Sequence, residues 1–210
     1  MMKIESVAAR PDRVGRYLVK LSDGSSLKLY RQTVEDFGLF AGLDLSEEEL
    51  SRIRKDAGQM SAKMRAVRII SASNVSKKDL EQRLLRKGET PQEARNAVQW
   101  LSGLNLLDDR ETARQIVSHC VAKGYGIARA KQALYDKKIP KDLWEEALLD
   151  YPDQSEKIME YLRAKLYADS DSKLVKKTVD ALIRRGHSYS VIRRCLSCLE
   201  LDDTELREEY

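Results

Sequence analysis

A recurring turn places the strongest constraint on how this chain of 210 residues can fold. Leu84–Pro91 (LLRKGETP) is repeated by Leu134–Pro140 (LYDKKIP) and Leu182–Ser188 (LIRRGHS), and the three leucines lie 50 and 48 residues apart. A period of this size is typical of proteins built from helical repeats. After each turn, apolar residues recur at i, i+3, i+4 and i+7, which is one face of a helix. These residues are Ala94, Ala97, Val98 and Leu101; Trp144, Ala147, Leu148 and Tyr151; and Ile192, Cys195, Leu196 and Leu199.

The repeats predict a mainly α fold of tandem three-helix modules with helix-turn-helix-like turns. Each module is too small to bury its own apolar faces, so neighbouring modules must stack. We expect Leu84, Leu134 and Leu182 to be buried. The predicted divisions are a β-hairpin with short helices over residues 1–60, three-helix repeats over 61–108, 109–152 and 153–200, and an acidic tail over 201–210.

The first third of the chain has the pattern of a small sheet. Residues 3–9, 14–21 and 26–31 alternate partly between apolar and polar side chains, and a turn with the sequence SDGS separates the last two segments. Gly24 in that turn can adopt a positive φ. The pattern predicts three strands in a sheet confined to about residues 1–31.

Several residues mark the ends of the predicted helices. Thr33 is expected to open a short helix through a capping box. Ser46 is expected to cap a second helix, and Gly58 is expected to end or bend that helix. A separate helix is then expected over about 61–72. The helices that follow are expected to be capped by Ser76, by Thr90 with Pro91 at the first helical position, and by Asp108.

Three short motifs suggest chemistry but have simpler structural interpretations. Asp108 and Asp109 could act in acid–base catalysis, but no nucleophile or histidine accompanies them, which favours capping. The Lys123–Gly126 segment (KGYG) could hold a phosphate, but a tight turn between helices explains it better. Cys195 and Cys198 form a CxxC pair without a second pair, and Cys195 and Cys120 fall on apolar positions of their helices, so buried structural thiols are expected. The sequence therefore predicts no enzymatic activity, no metal and no cofactor.

The charge of the chain is unevenly distributed. Residues 1–60 carry 10 basic and 10 acidic side chains, whereas residues 61–200 carry 27 basic and 19 acidic ones. A positive surplus confined to the helical repeats favours an anionic partner such as nucleic acid. The predicted contact surface comprises Lys87, Lys123, Tyr125, Arg129, Lys131, Lys176, Lys177, Arg184, Arg185, Arg193 and Arg194.

The cysteine content and the lack of long apolar segments indicate where in the cell the protein is expected. The chain has three cysteines, no apolar run near 18 residues and no cleavable amino-terminal signal. We therefore expect a reducing, cytoplasmic setting and no membrane partner.

The order of these motifs resembles the RecX family over about residues 61–200. The resemblance is carried by Ser76, Asp79 and Leu80 with Leu84, Lys87 and Gly88, then by Leu107-Asp108-Asp109, Lys123-Gly124-Tyr125-Gly126, and Leu182 with Arg184, Arg185 and Gly186. The amino-terminal segment also resembles an extension found in some members, through Ile4, Tyr17, Leu29, Leu39, Gly42, Leu45 and Glu48-Glu49-Leu50. The chain departs from the family pattern at Ser73, Lys138 and His187, where arginine, glycine and phenylalanine are usual.

The resemblance implies a non-enzymatic, monomeric regulator of homologous recombination and DNA repair. Such a protein would bind RecA filaments on single-stranded DNA and limit the ATPase and strand exchange of RecA. The resemblance also implies that the repeats form an elongated, curved body. Two alternatives remain open, a helix-turn-helix-type protein that binds DNA by itself and a helical scaffold for other proteins.

Overall fold

The structure is a computed structural model that describes residues 1–167 and 170–199. The predicted acidic tail, 201–210, lies outside the described residues. The chain divides into two compact units, Met1–Leu107 and a second unit that begins at Asp108. The fold is mainly helical with a small antiparallel sheet near the amino terminus, which confirms the predicted class. No helix among the described residues combines the length and apolar character needed to cross a membrane.

The amino-terminal sheet has a strand that the sequence pattern did not predict. Its strands pair in the order β3-β2-β1-β4, and every pair is antiparallel. They are β1 (Met2–Val7), β2 (Arg16–Leu21), β3 (Ser26–Tyr30) and β4 (Asp44–Leu45). The prediction that the sheet is confined to about residues 1–31 is therefore wrong. A two-residue strand is too short to show a period of two, and only its pairing with β1 defines it.

The first helix, α1 (Arg31–Asp36), begins without a side-chain cap, so the capping box expected at Thr33 is wrong. Thr33 instead lies buried within the helix and donates a hydrogen bond from Oγ1 to Asp56 Oδ2 at 2.8 Å. The contact ties α1 to the next helix of the unit, which contains Asp56.

The long helix α2 (Glu47–Ala72) connects the sheet to the first repeat. The predicted cap at Ser46 is confirmed, and the structure shows that it forms a capping box with Glu49. The helix continues through Gly58, so the expected break there is wrong, and residues 61–72 belong to the same helix. A Cβ atom on Gly58 would overlap the carboxylate of Glu93, so this glycine makes room for a neighbouring helix.

The first repeat packs the second half of α2 against α3 (Lys77–Arg86) and α4 (Pro91–Gly103). The predicted caps are confirmed, because Ser76 accepts from Asp79 N and Thr90 forms a capping box with Glu93. Two apolar clusters share α2 in this unit. The cluster under the sheet contains Ile4, Val19, Leu21, Leu29, Leu39, Leu45, Leu50 and Ile53, and that of the repeat contains Ala62, Ala66, Val75, Leu80, Leu84, Ala94, Ala97, Leu101 and Leu107.

The second unit contains two further three-helix groups. Their elements are α5 (Asp109–Ala122), α6 (Ile127–Asp136), a 3-10 turn (Lys141–Leu143), α7 (Trp144–Leu148), α8 (Ser155–Lys165), α9 (Ser172–Arg184) and α10 (Tyr189–Ser197). Asp108 caps α5 by accepting from Arg110 N at 2.8 Å, as predicted. Trp144, Ala147 and Leu148 lie on α7, but Tyr151 lies beyond it, so the predicted helical face is wrong at that residue. Leu199 likewise lies beyond the end of α10. The five-part domain division stays a prediction.

The repeated turn ends α3, α6 and α9 with the same backbone hydrogen bond. The amide of the fifth residue after the leucine donates to the leucine carbonyl, at 3.2 Å for Leu84, 3.0 Å for Leu134 and 3.2 Å for Leu182. The fourth residue after the leucine, just before the donor, adopts a left-handed conformation, with φ of 89° at Gly88, 56° at Lys138 and 88° at Gly186. This is a Schellman turn, which closes the helix and leaves the leucine pointing inward. The predicted burial of the three leucines is confirmed, since they are 0%, 0% and 1% exposed.

We predict that truncating Leu84, Leu134 or Leu182 to alanine lowers the free energy of unfolding by about 2–5 kcal/mol, because each change leaves a cavity in a buried cluster. Urea denaturation measures the loss. Leu85→Ala is the matched control, since Leu85 is 37% exposed and its truncation should cost less than about 1 kcal/mol. Losses of the control's size at two of the three leucines would contradict the shared role of the turn.

We also predict that Lys138→Gly is more stable than Lys138→Ala by roughly 0.5–1 kcal/mol. A side chain in the left-handed region costs about 1–2 kcal/mol, and the larger backbone entropy of glycine in the unfolded chain offsets part of the gain. Because both variants lack the lysine side chain, the difference in their stability reports the backbone conformation alone. Equal melting curves for the two variants would show that Lys138 is not strained.

Candidate functional site

Two turns cross in the second unit, and their backbones are in direct contact. The first turn, residues 123–126, joins α5 to α6, and the second, residues 185–187, joins α9 to α10. Gly126 N donates to Arg185 O at 2.9 Å, and Ala128 N donates to Gly186 O at 3.3 Å. A Cβ atom on Gly126 would overlap the carbonyl of Gly186, and one on Gly186 would overlap the backbone of Arg129. Both glycines are therefore required by this approach, and we call the two segments the crossed turns.

Side chains on both sides hold the first of the crossed turns in place. His187, which is 8% exposed, has Nε2 3.1 Å from Gly124 O. Because a carbonyl oxygen only accepts, His187 donates from Nε2. Tyr151 donates from its hydroxyl to Tyr125 O at 2.7 Å, and burial raises the pKa of Tyr151 to about 12, which keeps this donor protonated. A histidine and a tyrosine thus hold this turn by donating to its backbone carbonyls.

A cleft of about 310 Å³ opens beside the crossed turns, and cations outnumber anions among its lining residues. Lys123, Lys157 and Arg185 line it together with one carboxylate, Glu160. The Arg185 guanidinium lies 4.5 Å from the centre of the Tyr161 ring, a cation–π contact that orients it. Lys157 donates from Nζ to two carbonyls at the end of α5, at 2.9 and 3.4 Å, so its charge caps that helix.

A second cleft, of about 320 Å³, lies on the other side of His187. Asp153 lines it and accepts from Ser155, which is the main reason that the pKa of Asp153 lies below its usual value. The positive charge of Arg194 also lowers this pKa. The two clefts therefore differ in charge, and the cationic one lies beside Lys123 and Arg185.

The structure brings part of the predicted contact surface together. Lys123 and the half-buried Tyr125 lie in the first of the crossed turns, and Arg185 lies in the second. Lys177 and Arg184 are seven residues apart on α9, so they share a face of that helix. The remaining members in this unit are exposed on α6, α9 and α10, namely Arg129, Lys131, Lys176, Arg193 and Arg194. Lys87 lies in the first unit, at the end of α3.

Sequence reasoning missed two residues of this site and underestimated a third. Lys157 and Tyr161 on α8 line the cationic cleft, but no motif or period marks them. His187 stood out only as a departure from a family pattern, whereas the structure places it at the centre of the crossing. Lys157 and His187 contact a different repeat, and Tyr161 contacts Arg185 beyond the end of another helix. Such contacts have no fixed spacing in sequence.

The cysteines take no part in the site. Cys120 and Cys195 are buried, as predicted, and burial raises the pKa of both thiols. Cys198 is exposed, so the expectation of a buried thiol is wrong there. Across the described residues, no group of histidine, cysteine and carboxylate side chains is arranged to hold a metal ion.

We predict that the free energy of unfolding falls as the pH drops from about 7 towards 5, with a contribution from His187. Burial lowers the pKa of His187 below its ordinary value of about 6.5, so the unfolded chain binds the proton more readily. The stability from the neutral ring is thus complete above about pH 6.5 and is lost as the pH falls. The charged neighbours at the cleft are Lys123, Lys157, Glu160 and Arg185.

The matched variant for this measurement is His187→Gln, because glutamine can donate to Gly124 O without titrating. Urea denaturation at a series of pH values should show a weaker pH dependence in the variant. If the free energy of unfolding changes with pH equally in the wild type and in His187→Gln, His187 does not contribute to the pH dependence.

Comparisons with known proteins were consistent across the chain. The family model for the second three-helix domain of RecX matches residues 108–148. A protein of Clostridioides difficile (strain 630) named "Regulatory protein RecX" is 31% identical over 204 residues, which are 94% of this chain and 94% of that protein. A protein of the same name from Streptococcus gordonii is 26% identical and covers 92% of this chain and 76% of its own length.

Solved structures show the same fold. A structure described as "Crystal structure of regulatory protein RecX" aligns with a TM-score of 0.63 at 21% identity, covering 92% of this chain and all, 100%, of that chain. RecX from Lactobacillus salivarius aligns with a TM-score of 0.58 at 23% identity, over 68% of this chain and 97% of its own. Taken with the 31% identity to the C. difficile protein over nearly the whole length, these matches show that the chain belongs to the RecX family of regulatory proteins.

Proposed function

We propose that this protein is a non-enzymatic, cytoplasmic regulator that binds RecA filaments on single-stranded DNA and inhibits their ATPase and strand exchange. Membership of the RecX family supports the regulatory role. The observation that carries the rest of the proposal is the pair of crossed turns, because it fixes cationic residues of two different repeats beside one cleft. Such a cluster suits an anionic nucleoprotein surface better than either repeat would alone.

The backbone positions these cations, which makes the cluster suitable for recognition. Lys123 and Arg185 flank amides and carbonyls that are hydrogen-bonded across the crossing, so their Cα atoms have little freedom. Arg185 is further oriented by Tyr161. A preorganised cation loses less entropy on binding than one on a free chain. Arginine can also contact either a phosphate or a carboxylate through its planar fork, so it suits both components of a filament.

We predict that the triple variant Arg184→Glu, Arg185→Glu and Arg194→Glu binds RecA filaments at least roughly tenfold more weakly than the wild type. Its salt dependence should also flatten, by about 0.7–1 unit of slope for each phosphate that the variant no longer neutralises. Fluorescence anisotropy with assembled filaments measures both quantities. The melting temperature should hardly change, since exposed charges contribute little to stability.

The matched control reverses three exposed charges in the first unit, Lys20→Glu, Lys28→Glu and Arg52→Glu. It changes the net charge by the same amount and should inhibit single-strand-dependent ATP hydrolysis by RecA at wild-type concentrations. A folded triple variant that inhibits as well as the wild type would show that the crossed turns do not contact the filament.

The wild-type protein distinguishes the two alternative functions. Equal affinity for naked DNA and for filaments would favour a protein that binds DNA by itself, and no effect on filaments would favour a scaffold.

A further inference from the structure

A second cationic site lies in the first unit, where the sheet, α2 and α3 enclose a cleft of about 490 Å³. Five cations line it, namely Arg16, Arg65, Arg68, Arg83 and Lys87. The hydroxyls of Tyr30, Ser61 and Ser73 are also part of the lining. Of these eight residues, only Lys87 belongs to the contact surface predicted from the sequence.

Three separate elements contribute to this cationic cleft. Ser61, Arg65 and Arg68 lie on one face of α2 at helical spacing. Arg83 lies on α3 and Lys87 follows that helix at its end, whereas Arg16 begins β2. The cleft therefore exists because the sheet packs beside α2, and it gives the amino-terminal sheet a role of its own.

Carboxylates hold three of the guanidinium groups in fixed positions. Asp12 lies 2.8 Å from Arg16, Glu89 lies 2.7 Å from Arg65, and Asp79 lies 2.9 Å from Arg83. The Glu89 and Asp79 side chains are only 7% and 6% exposed, whereas Arg65 and Arg83 are 34% and 33% exposed, so the carboxylates are shielded and the arginines still reach solvent. A carboxylate engages only part of a guanidinium, which has five N–H donors, and so each arginine retains donors for a ligand.

The charge of the cleft is not balanced within the unit. Among the described residues, neither Arg68 nor Lys87 forms an ion pair with a carboxylate. Arg68 is oriented by neutral oxygens instead, through hydrogen bonds to Tyr30 Oη at 2.9 Å and to Met64 O at 3.1 Å. Two positive charges therefore remain beside three neutralised arginines, and a doubly charged anion would relieve their mutual repulsion.

We propose that this cleft binds a phosphate group carried by a larger molecule. A tetrahedral phosphate presents oxygens in several directions and can accept from several guanidinium groups at once, whereas a carboxylate presents two oxygens in one plane. None of the described residues that line the cleft is acidic. Its volume of about 490 Å³ falls within the range of about 300–1,000 Å³ that is usual for small-ligand sites.

Two sources carry this chemistry, the phosphodiester backbone of nucleic acid and the polyphosphate of a soluble nucleotide. The site goes beyond the proposed function, because it lies in the first unit and requires no RecA filament. Binding measurements on the full-length protein with naked probes therefore test it separately from filament inhibition.

The test uses a labelled 15-nucleotide oligothymidine, ATP and a polyglutamate peptide as probes of the full-length protein at low salt. The variant is Arg68→Glu with Lys87→Glu. The control, Lys55→Glu with Lys78→Glu, reverses two exposed charges on α2 and α3 outside the cleft. We expect the wild type and the control to bind at least one phosphate probe and the cleft variant to bind it roughly tenfold more weakly.

Binding of the oligonucleotide alone would assign the phosphate to nucleic acid, with a salt slope reduced by about 0.7 for each single-strand phosphate that the variant no longer neutralises. Binding of ATP would assign it to a soluble nucleotide. Arg68→Lys keeps the charge but lacks the fork, so its affinity should fall between those of the wild type and the cleft variant. The neutral pair Arg68→Gln and Lys87→Gln provides the same comparison if charge reversal impairs folding.

Three results would overturn the proposal. The first is unchanged affinity of the cleft variant for both phosphate probes. The second is binding of polyglutamate that requires Arg68 and Lys87, with no binding of a phosphate probe, because the occupant would then be an acidic protein segment. The third is the absence of binding to any probe by the wild type.

Discussion

The helix-ending turn with a left-handed residue is the constraint on which the rest of the structure depends. Each copy returns a backbone amide to the carbonyl of a buried leucine, which stops the helix and directs the chain into the next one. At Lys138 the same conformation persists without glycine, so the hydrogen bonds and packing of the turn outweigh a local cost of about 1–2 kcal/mol. The conformation of the repeated turn is therefore maintained by its backbone hydrogen bonds and by the buried leucine.

In the second unit these turns also become contact surfaces. Because Gly126 and Gly186 have no side chains, two backbones approach closely enough to hydrogen-bond to each other. The same contact sets Lys123 and Arg185 beside one cleft. The packing of the two turns and the clustering of positive charge thus have a common origin. A side chain at either glycine would separate the two backbones and move the cations apart.

The two cationic clefts use different means to hold their charges. Beside the crossed turns, an aromatic ring orients Arg185 and the backbone fixes its position. In the first unit, shielded carboxylates hold Arg65 and Arg83, and a tyrosine hydroxyl holds Arg68. In both cases the cations are ordered before any ligand arrives, which lowers the entropic cost of binding.

The sequence by itself determined the mainly helical class, the caps at Ser46, Ser76, Thr90 and Asp108, and the burial of the three turn leucines. These features depend on residues a few positions apart, and local spacing therefore reveals them.

Only the tertiary structure decided that α2 continues through Gly58, that β4 completes the sheet and that His187 joins two repeats. Each of these positions has a partner distant in sequence: the Glu93 carboxylate lies where a Cβ atom on Gly58 would be, β1 pairs with β4, and Gly124 accepts from His187. The cleft formed by the sheet, α2 and α3 is a product of the same long-range packing, which no local pattern encodes.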